Sequence, residues 1–262
     1  MNTIRQPAVA GMFYPNSARQ LHAQLEDFLS HTAADGAVPK AIIVPHAGYI
    51  FSGPVAASAY ARLRAARDII HRVVLVGPSH RVGFQGIAVT SMAAFATPLG
   101  QIPVDQAAIA QLRHLPQVVM LERAHTQEHS LEVHLPFLQE VLGEFSLVPL
   151  VVGDASPDEV GTVLETLWGG SETLIVISSD LSHYHDYATA RRLDQATSQA
   201  IETLRYEDIG YEDACGRNPV NGLLWLARRK GLHGEMVDLR NSGDTAGPRD
   251  QVVGYGAYVF HE

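Results

Sequence analysis

Cys215 is the only cysteine in this chain of 262 residues. A lone thiol excludes an internal disulfide and fits a reducing compartment. No stretch comes near the ~20 uninterrupted apolar residues that a membrane-spanning helix needs. The opening "MNTIRQPAVAGMFYP" has no apolar run of signal-peptide length. Basic residues are scarce: 19 Lys and Arg stand against 28 Asp and Glu, for a formal net charge of −9. That balance argues against nucleic acid or an anionic membrane as a main partner. Low-complexity linkers, repeats and sharp shifts of composition are also missing. The expectation is a soluble, cytoplasmic protein forming one compact domain over residues 1–262.

What is present alternates between short apolar runs and longer amphipathic segments. "KAIIVPH" (40–46), "RVVLVGPSH" (72–80), "GIAVTS" (86–91), "FSLVPLVVG" (145–153) and "TLIVISSD" (173–180) read as strands, most of them buried on both faces. "GEMVDLRN" and "QVVGYGAYVF" read as closing strands. Helical periodicity covers 52–66, 105–115, 128–143, 156–170, 187–204 and 218–231. Asp105 and Ser156 are N-cap residues by type, Asn218 is read as the cap of the last helix, and Pro136 either kinks its segment or starts a second helix. The basic cluster "LARRKG" reads as a positive helix end complementing the helix dipole. The pattern predicts the α/β class: a central mixed β-sheet flanked by helices, with the last strands antiparallel.

Three of the strands run into chemically capable tails. "AIIV" leads to His46, "VVLV" to Ser79 and His80, and "LIVI" to Asp180, His183 and His185. Ligands of open α/β sheets bind beyond the carboxyl ends of the strands, so these tails would converge if the strands are parallel neighbours. Gly48, Gly77 and Pro78 would let the backbone turn sharply beside them. Thirteen histidines in an acidic chain are many, and a second group, His125, Glu128, His129, Glu132 and His134, falls in "HTQEHSLEVH". On a helix His125 and His129 would lie one turn apart. The bland reading of that stretch is a capping region with an exposed acidic face. The functional one is a supporting role, with His129 near the site, hydrogen-bonding a ligand histidine. Cys215 precedes the start of a helix, where backbone N–H groups would favour its thiolate and Arg217 could add to the effect. From the residues alone it stays open between a packed hydrophobe and a functional thiol.

The strings "RQPAVAGMFYP", "PHAGYIFSGPVAASAY", "GPSH", "EHSLEVHLPFL", "ISSDLSHY", "CGRNPV" and "NSGDTAG" with "VVGYGAY", from about Arg5 to about Tyr258, resemble the Memo family. In bacteria and archaea that family appears as protein B of the AmmeMemoRadiSam system. The resemblance implies a fold like that of the class III extradiol (LigB-like) dioxygenases. It also implies a pocket built from His46, His80, Asp180, His183 and Cys215. In that pocket His46, His80 and Cys215 would bind a metal, with Asp180 and His183 as acid–base groups and His129, Ser79 and Tyr184 around them. Iron(II) or copper is the implied cofactor, zinc is compatible, and no nucleotide cofactor is expected. A thiolate in place of the dioxygenase carboxylate makes the ligand set softer. The function implied is metal-dependent redox or oxygen chemistry on an unknown small-molecule or peptide ligand, with AMMECR1-like and radical SAM proteins as partners. The alternatives are a non-catalytic module recognising a peptide, phosphopeptide or partner protein, and a Cys–His hydrolase.

Overall fold

The computed structural model describes residues 3–33 and 36–262. In chain order its strands are β1 (Ile4–Arg5), β2 (Ala41–Val44), β3 (Arg72–Pro78), β4 (Ile87–Val89), β5 (Ala94–Thr97), β6 (Gly100–Pro103), β7 (Val118–Met120), β8 (Ser146–Val152), β9 (Thr173–Ser178), β10 (His183–His185), β11 (His233–Asn241) and β12 (Val252–His261). The helices are α1 (Ala18–Ser30), α2 (Tyr49–Tyr60), α3 (Gln106–Gln111), α4 (Glu122–Thr126), α5 (Leu135–Val141), α6 (Pro157–Thr166), α7 (Tyr187–Glu202), α8 (Arg217–Lys230) and α9 (Ser242–Thr245).

Nine strands form one mixed sheet in the order β10-β12-β2-β9-β3-β8-β4-β7, with β11 also paired to β12. The four central strands β2, β9, β3 and β8 are parallel. The strands on either side of them, β12 and β4, pair with them antiparallel, and so do the closing strands β11 and β12 with each other. Every residue of β2 and β9 is buried. This is why they read as unbroken apolar runs rather than alternating ones: helices cover both faces. On the helical layers, α1, α2 and α5 pack together with α2 against β2, β11 and β12, while α6 and α8 pack together with α8 against β3 and β9. The α/β expectation, with a mixed sheet and antiparallel closing strands, holds. Strands β1, β5 and β6 make a separate three-stranded sheet that the sequence does not announce.

Local chemistry accounts for most element ends. Asp105 caps α3 by accepting the Ala108 N–H at 2.9 Å. Ser156 and Glu159 form a capping box on α6. Gly231 ends α8 in the left-handed region at φ 72°, where glycine carries no Cβ penalty. Arg228, Arg229 and Lys230 fill the last turn of α8, where Arg228 pairs with Glu207 and Arg229 and Lys230 lie over Trp225 and Trp168. The basic cluster is thus a helix end, not a binding patch.

Two expectations change. The segment 128–143 is not helical throughout: residues 128–131 are a loop closing in a turn, Glu132–His134 is a 3₁₀ turn, and α5 follows with Pro136 in its first turn, the second of the two roles expected of that proline. Proline lacks the N–H that a helix interior needs, so it sits where that donor has no intrahelical partner. Asn218 does not cap α8. The helix begins two residues earlier, at Arg217 behind Gly216, and the Asn218 amide instead donates to Gly153 O at 2.8 Å.

Candidate metal centre

Because β2, β9 and β3 are adjacent and parallel, their carboxyl ends open on the same edge of the sheet. The residues that follow them meet there. His46 Nε2 lies 3.3 Å from Cys215 Sγ, and the rings of His46 and His80 are 5.0 Å apart. One ligand atom from each of His46, His80 and Cys215 lies within 4.8 Å of the others, and the same holds for Asp180, His183 and Cys215. Cys215 comes from the other end of the chain. It reaches the centre because Gly216, next to it, presses against the end of β9: a Cβ there would run into Ser178 O and the Ser179 side chain. The Gly216 N–H donates to Ser179 Oγ at 3.0 Å. Gly77 plays the same part for the 128–131 turn, since a Cβ on it would meet Ser130 Oγ at 2.8 Å. Gly77 is thus packed against this chain's own Ser130 and Leu131 side chains.

Hydrogen bonds fix how the two histidines face the centre. His80 donates from Nδ1 to Glu128 Oε1 at 2.9 Å and from its backbone N–H to Oε2 at 2.6 Å. Burial works against a charge on Glu128. Hydrogen bonds from His80 and from backbone N–H groups outweigh it and hold the carboxyl at about 2. Glu128 is thus an acceptor only, so a proton sits on His80 Nδ1, and in the neutral ring Nε2 is the nitrogen that carries the lone pair. His46 places Nδ1 2.6 Å from Ser178 Oγ, and its backbone N–H donates to Asp180 Oδ1 at 2.8 Å. Burial, then the neighbouring histidines, hold the His46 imidazole neutral. Neutral imidazoles are what a metal binds.

Cys215 departs from expectation. Burial, and next the Asp180 carboxyl, push its thiol up rather than down. The Asp180 N–H reaches the sulfur at 3.3 Å, and it and the neighbouring Ser179 and Gly216 groups work against the rise without offsetting it. The Arg217 guanidinium turns away and stacks 3.5 Å over the Tyr211 ring. Asp180, 5% exposed, has its own carboxyl raised by burial, with Oδ2 3.9 Å from His46 Nε2.

The remaining expected residues divide. His129 is at the centre, its ring stacked 4.6 Å from His80 and 5.5 Å from His46. Its contact differs from the one expected: Glu128, not His129, holds His80, and His129 Nδ1 is buried without a hydrogen-bond partner. Burial, then His80, bring His129 down to about 4. The acidic face expected in this stretch is not exposed, since Glu128 and Glu132 are both buried. His125 points elsewhere, its Nε2 3.2 Å from Ala88 O and its ring against Phe95. Ser79 bonds Val82 O at 2.7 Å and shapes the loop. Tyr184 is exposed, with a left-handed φ of 61° beside a bulge in β10, and its ring lies 5.7 Å from His183. Glu128 is named by the sequence with its histidine cluster but not as the partner of His80, and Ser178 is not singled out. A buried carboxylate in a turn looks like any exposed one, and a serine closing a strand carries no motif.

A cleft of about 550 Å³ opens beyond Cys215, lined among others by Ser79, Phe84, Asp154, Tyr211 and Asn218. The donor set fits a soft or borderline ion. Two imidazoles and a sulfur at ~2.0–2.3 Å from one ion would stand roughly 3.3–3.6 Å apart, and the His46–Cys215 pair already stands at 3.3 Å.

Fold and site together define an α/β protein with a histidine–thiol cluster at the carboxyl edge of a parallel sheet core. The model of the family described as "Memo-like protein" matches residues 5–259, and the chain belongs to that family. A MEMO1 family protein of Aquifex aeolicus is 36% identical over 271 residues, covering 98% of this chain and 99% of the relative. Relatives of the same description from Ignicoccus hospitalis and Saccharolobus solfataricus are 34% and 33% identical, each over 98% of this chain and 98% and 99% of their own lengths. A solved structure of an uncharacterised protein from Escherichia coli K12 aligns with a TM-score of 0.47 at 14% identity, over 84% of this chain and 98% of that one. Among the described residues no helix is long and apolar enough to cross a membrane.

Proposed function

We propose that this Memo-like protein binds one iron(II) or copper ion through His46 Nε2, His80 Nε2 and Cys215 Sγ, and uses it for redox or oxygen chemistry in the cytoplasm. The observation that carries the reading is the convergence of the three donor atoms within 4.8 Å of one another, together with the Glu128 contact that occupies His80 Nδ1 and leaves Nε2 as the nitrogen free for a metal. Two imidazoles and a thiolate suit copper(I), iron and zinc, and of these iron and copper are the ones that exchange electrons. A bound ion would supply electron exchange and an open coordination position. The protein residues do the rest. Glu128 and Ser178 orient the two imidazoles, Asp180 and His183 stand beside the sulfur where a proton can be held or passed on, and His129 covers His80. The cleft beyond Cys215 takes a small molecule or a peptide segment. Binding of a cation displaces the thiol proton and offsets the rise that burial imposes on Cys215.

Metal analysis of anaerobically purified protein tests the reading. Wild type is expected to carry close to one iron or copper per chain, and Cys215→Ala, His46→Ala and His80→Ala to lose most of it. Full retention in Cys215→Ala would rule out the ligand set. The openness of the cleft favours one other reading, a non-catalytic module that recognises a peptide or partner protein. A chelator distinguishes them, because binding to such a module would survive metal removal.

A further inference from the structure

Behind His46 lies a row of buried polar groups, of which the chemistry above uses Ser178 alone. Ser178 Oγ is within hydrogen-bond reach of three atoms: Ser130 O at 2.6 Å, His46 Nδ1 at 2.6 Å and His134 Nε2 at 2.8 Å. The other ring nitrogen of His134, Nδ1, is 2.9 Å from the Tyr60 hydroxyl. Tyr60 and Ser178 are 0% exposed and His134 1%, so water does not complete these bonds.

Counting donors fixes every proton in the row. A serine hydroxyl has one proton and two acceptor lone pairs. A backbone carbonyl only accepts, so the Ser178 proton points to Ser130 O. Both imidazoles must then donate to Ser178 Oγ. His134 is thus protonated on Nε2. Burial keeps it neutral, down to about 3, so its Nδ1 lone pair takes the Tyr60 O–H. His46 is protonated on Nδ1, and its bare Nε2 is the atom 3.3 Å from Cys215 Sγ. The opposite His46 tautomer would put a lone pair against Ser178 Oγ, whose only proton is already committed. The carbonyl and the tyrosine close the row at its two ends.

We propose that Tyr60, His134 and Ser178 are positioning residues that lock His46 in the Nδ1–H tautomer and present its Nε2 lone pair to the centre. The tautomer stands on hydrogen-bond counting alone. Its consequence for metal binding rests on the function proposed above.

The test uses full-length, chelator-treated protein labelled with ¹⁵N at histidine, followed by titration with Co(II). Imidazole ¹H–¹⁵N correlation spectra of wild type should show His46 protonated at Nδ1 and bare at Nε2. Tyr60→Phe removes one oxygen and keeps the ring stacked 4.9 Å from Phe137, so it should fold. It is expected to shift the His134 nitrogens and to mix the His46 tautomers. Ser178→Ala should mix them further and weaken Co(II) binding by about 10–100-fold, the usual effect of losing a group that orients a ligand. Tyr60→Phe should weaken it by a smaller factor. A wild-type His46 protonated at Nε2 would overturn the proposal. So would wild-type tautomers and Co(II) affinity in both variants, or in Tyr60→Phe alone if Ser178→Ala does not fold. A locked wild-type tautomer that both variants loosen, in a protein with no affinity for Co(II), would uphold the lock and refute the metal reading.

Discussion

Glu128 shows how much one side chain can do when it is buried. Its Oε1 accepts from His80 Nδ1 and from the backbone N–H groups of His129 and Ser130, and its Oε2 accepts from the His80 N–H. One carboxylate thereby shapes the turn that carries it and holds the Nδ1 proton of His80. Glu128→Gln keeps the size but puts an N–H₂ where an acceptor is needed. We expect it to weaken metal binding by about 10–100-fold, read by competition with a chromophoric chelator; unchanged affinity would remove Glu128 from the site. Sequence could place His46, His80, Asp180, His183 and Cys215 as candidates because each ends a strand or carries a distinctive motif. Glu128 is legible as a member of the histidine cluster, but its role and the whole of Ser178 are not, because what matters in them is burial and hydrogen-bond geometry, which residue type does not encode.

At the scale of elements, the site is a product of adjacency. Strands β2, β9 and β3 are legible as contiguous apolar runs, and their side-by-side parallel order is what brings their tails together. Elements without such runs stay silent: β1 is two residues long and β10 three. Helix α1, absent from the expected elements, does carry Leu21, Leu25 and Leu29 four apart on its buried face, a stripe that periodicity can read. The start of α8 is the element end with the largest consequence, since it delivers Cys215. Gly216→Ala would force a Cβ into Ser178 O and the Ser179 side chain. Overpacking of this kind costs about 1–3 kcal/mol. We expect a lower thermal midpoint and a Cys215 thiol that reacts faster with iodoacetamide than in metal-free wild type. An unchanged midpoint and rate would show that the contact with β9 does not hold the cysteine.

At the scale of the whole molecule, buried ionisable groups tie distant parts of the chain together and make stability depend on pH. Glu132, fully buried, accepts from Arg5, from Tyr14 Oη at 2.6 Å and from the Ala8 and Val9 N–H groups, pinning the N-terminal segment over the 128–134 turns. His125 is buried neutral: burial brings it from 6.5 down to about 4. The folded protein therefore binds fewer protons than the unfolded chain between those values, and stability rises with pH across that window. The contribution of His125 is fully present above about pH 6.5 and is lost as pH falls towards 4, by up to roughly 3 kcal/mol. Urea unfolding between pH 7 and 4 should show the slope, and His125→Gln should flatten it; an equal slope in the variant would show that His125 does not titrate on unfolding.

The central claim is that a thiolate from one end of the chain and two strand-end imidazoles share one ion. X-ray absorption of anaerobically purified, metal-loaded protein addresses it most directly. The account predicts one sulfur at ~2.3 Å and two imidazole nitrogens at ~2.0–2.1 Å from the metal, with the sulfur signal gone in Cys215→Ala. A wild-type spectrum with nitrogen and oxygen scatterers alone would contradict it.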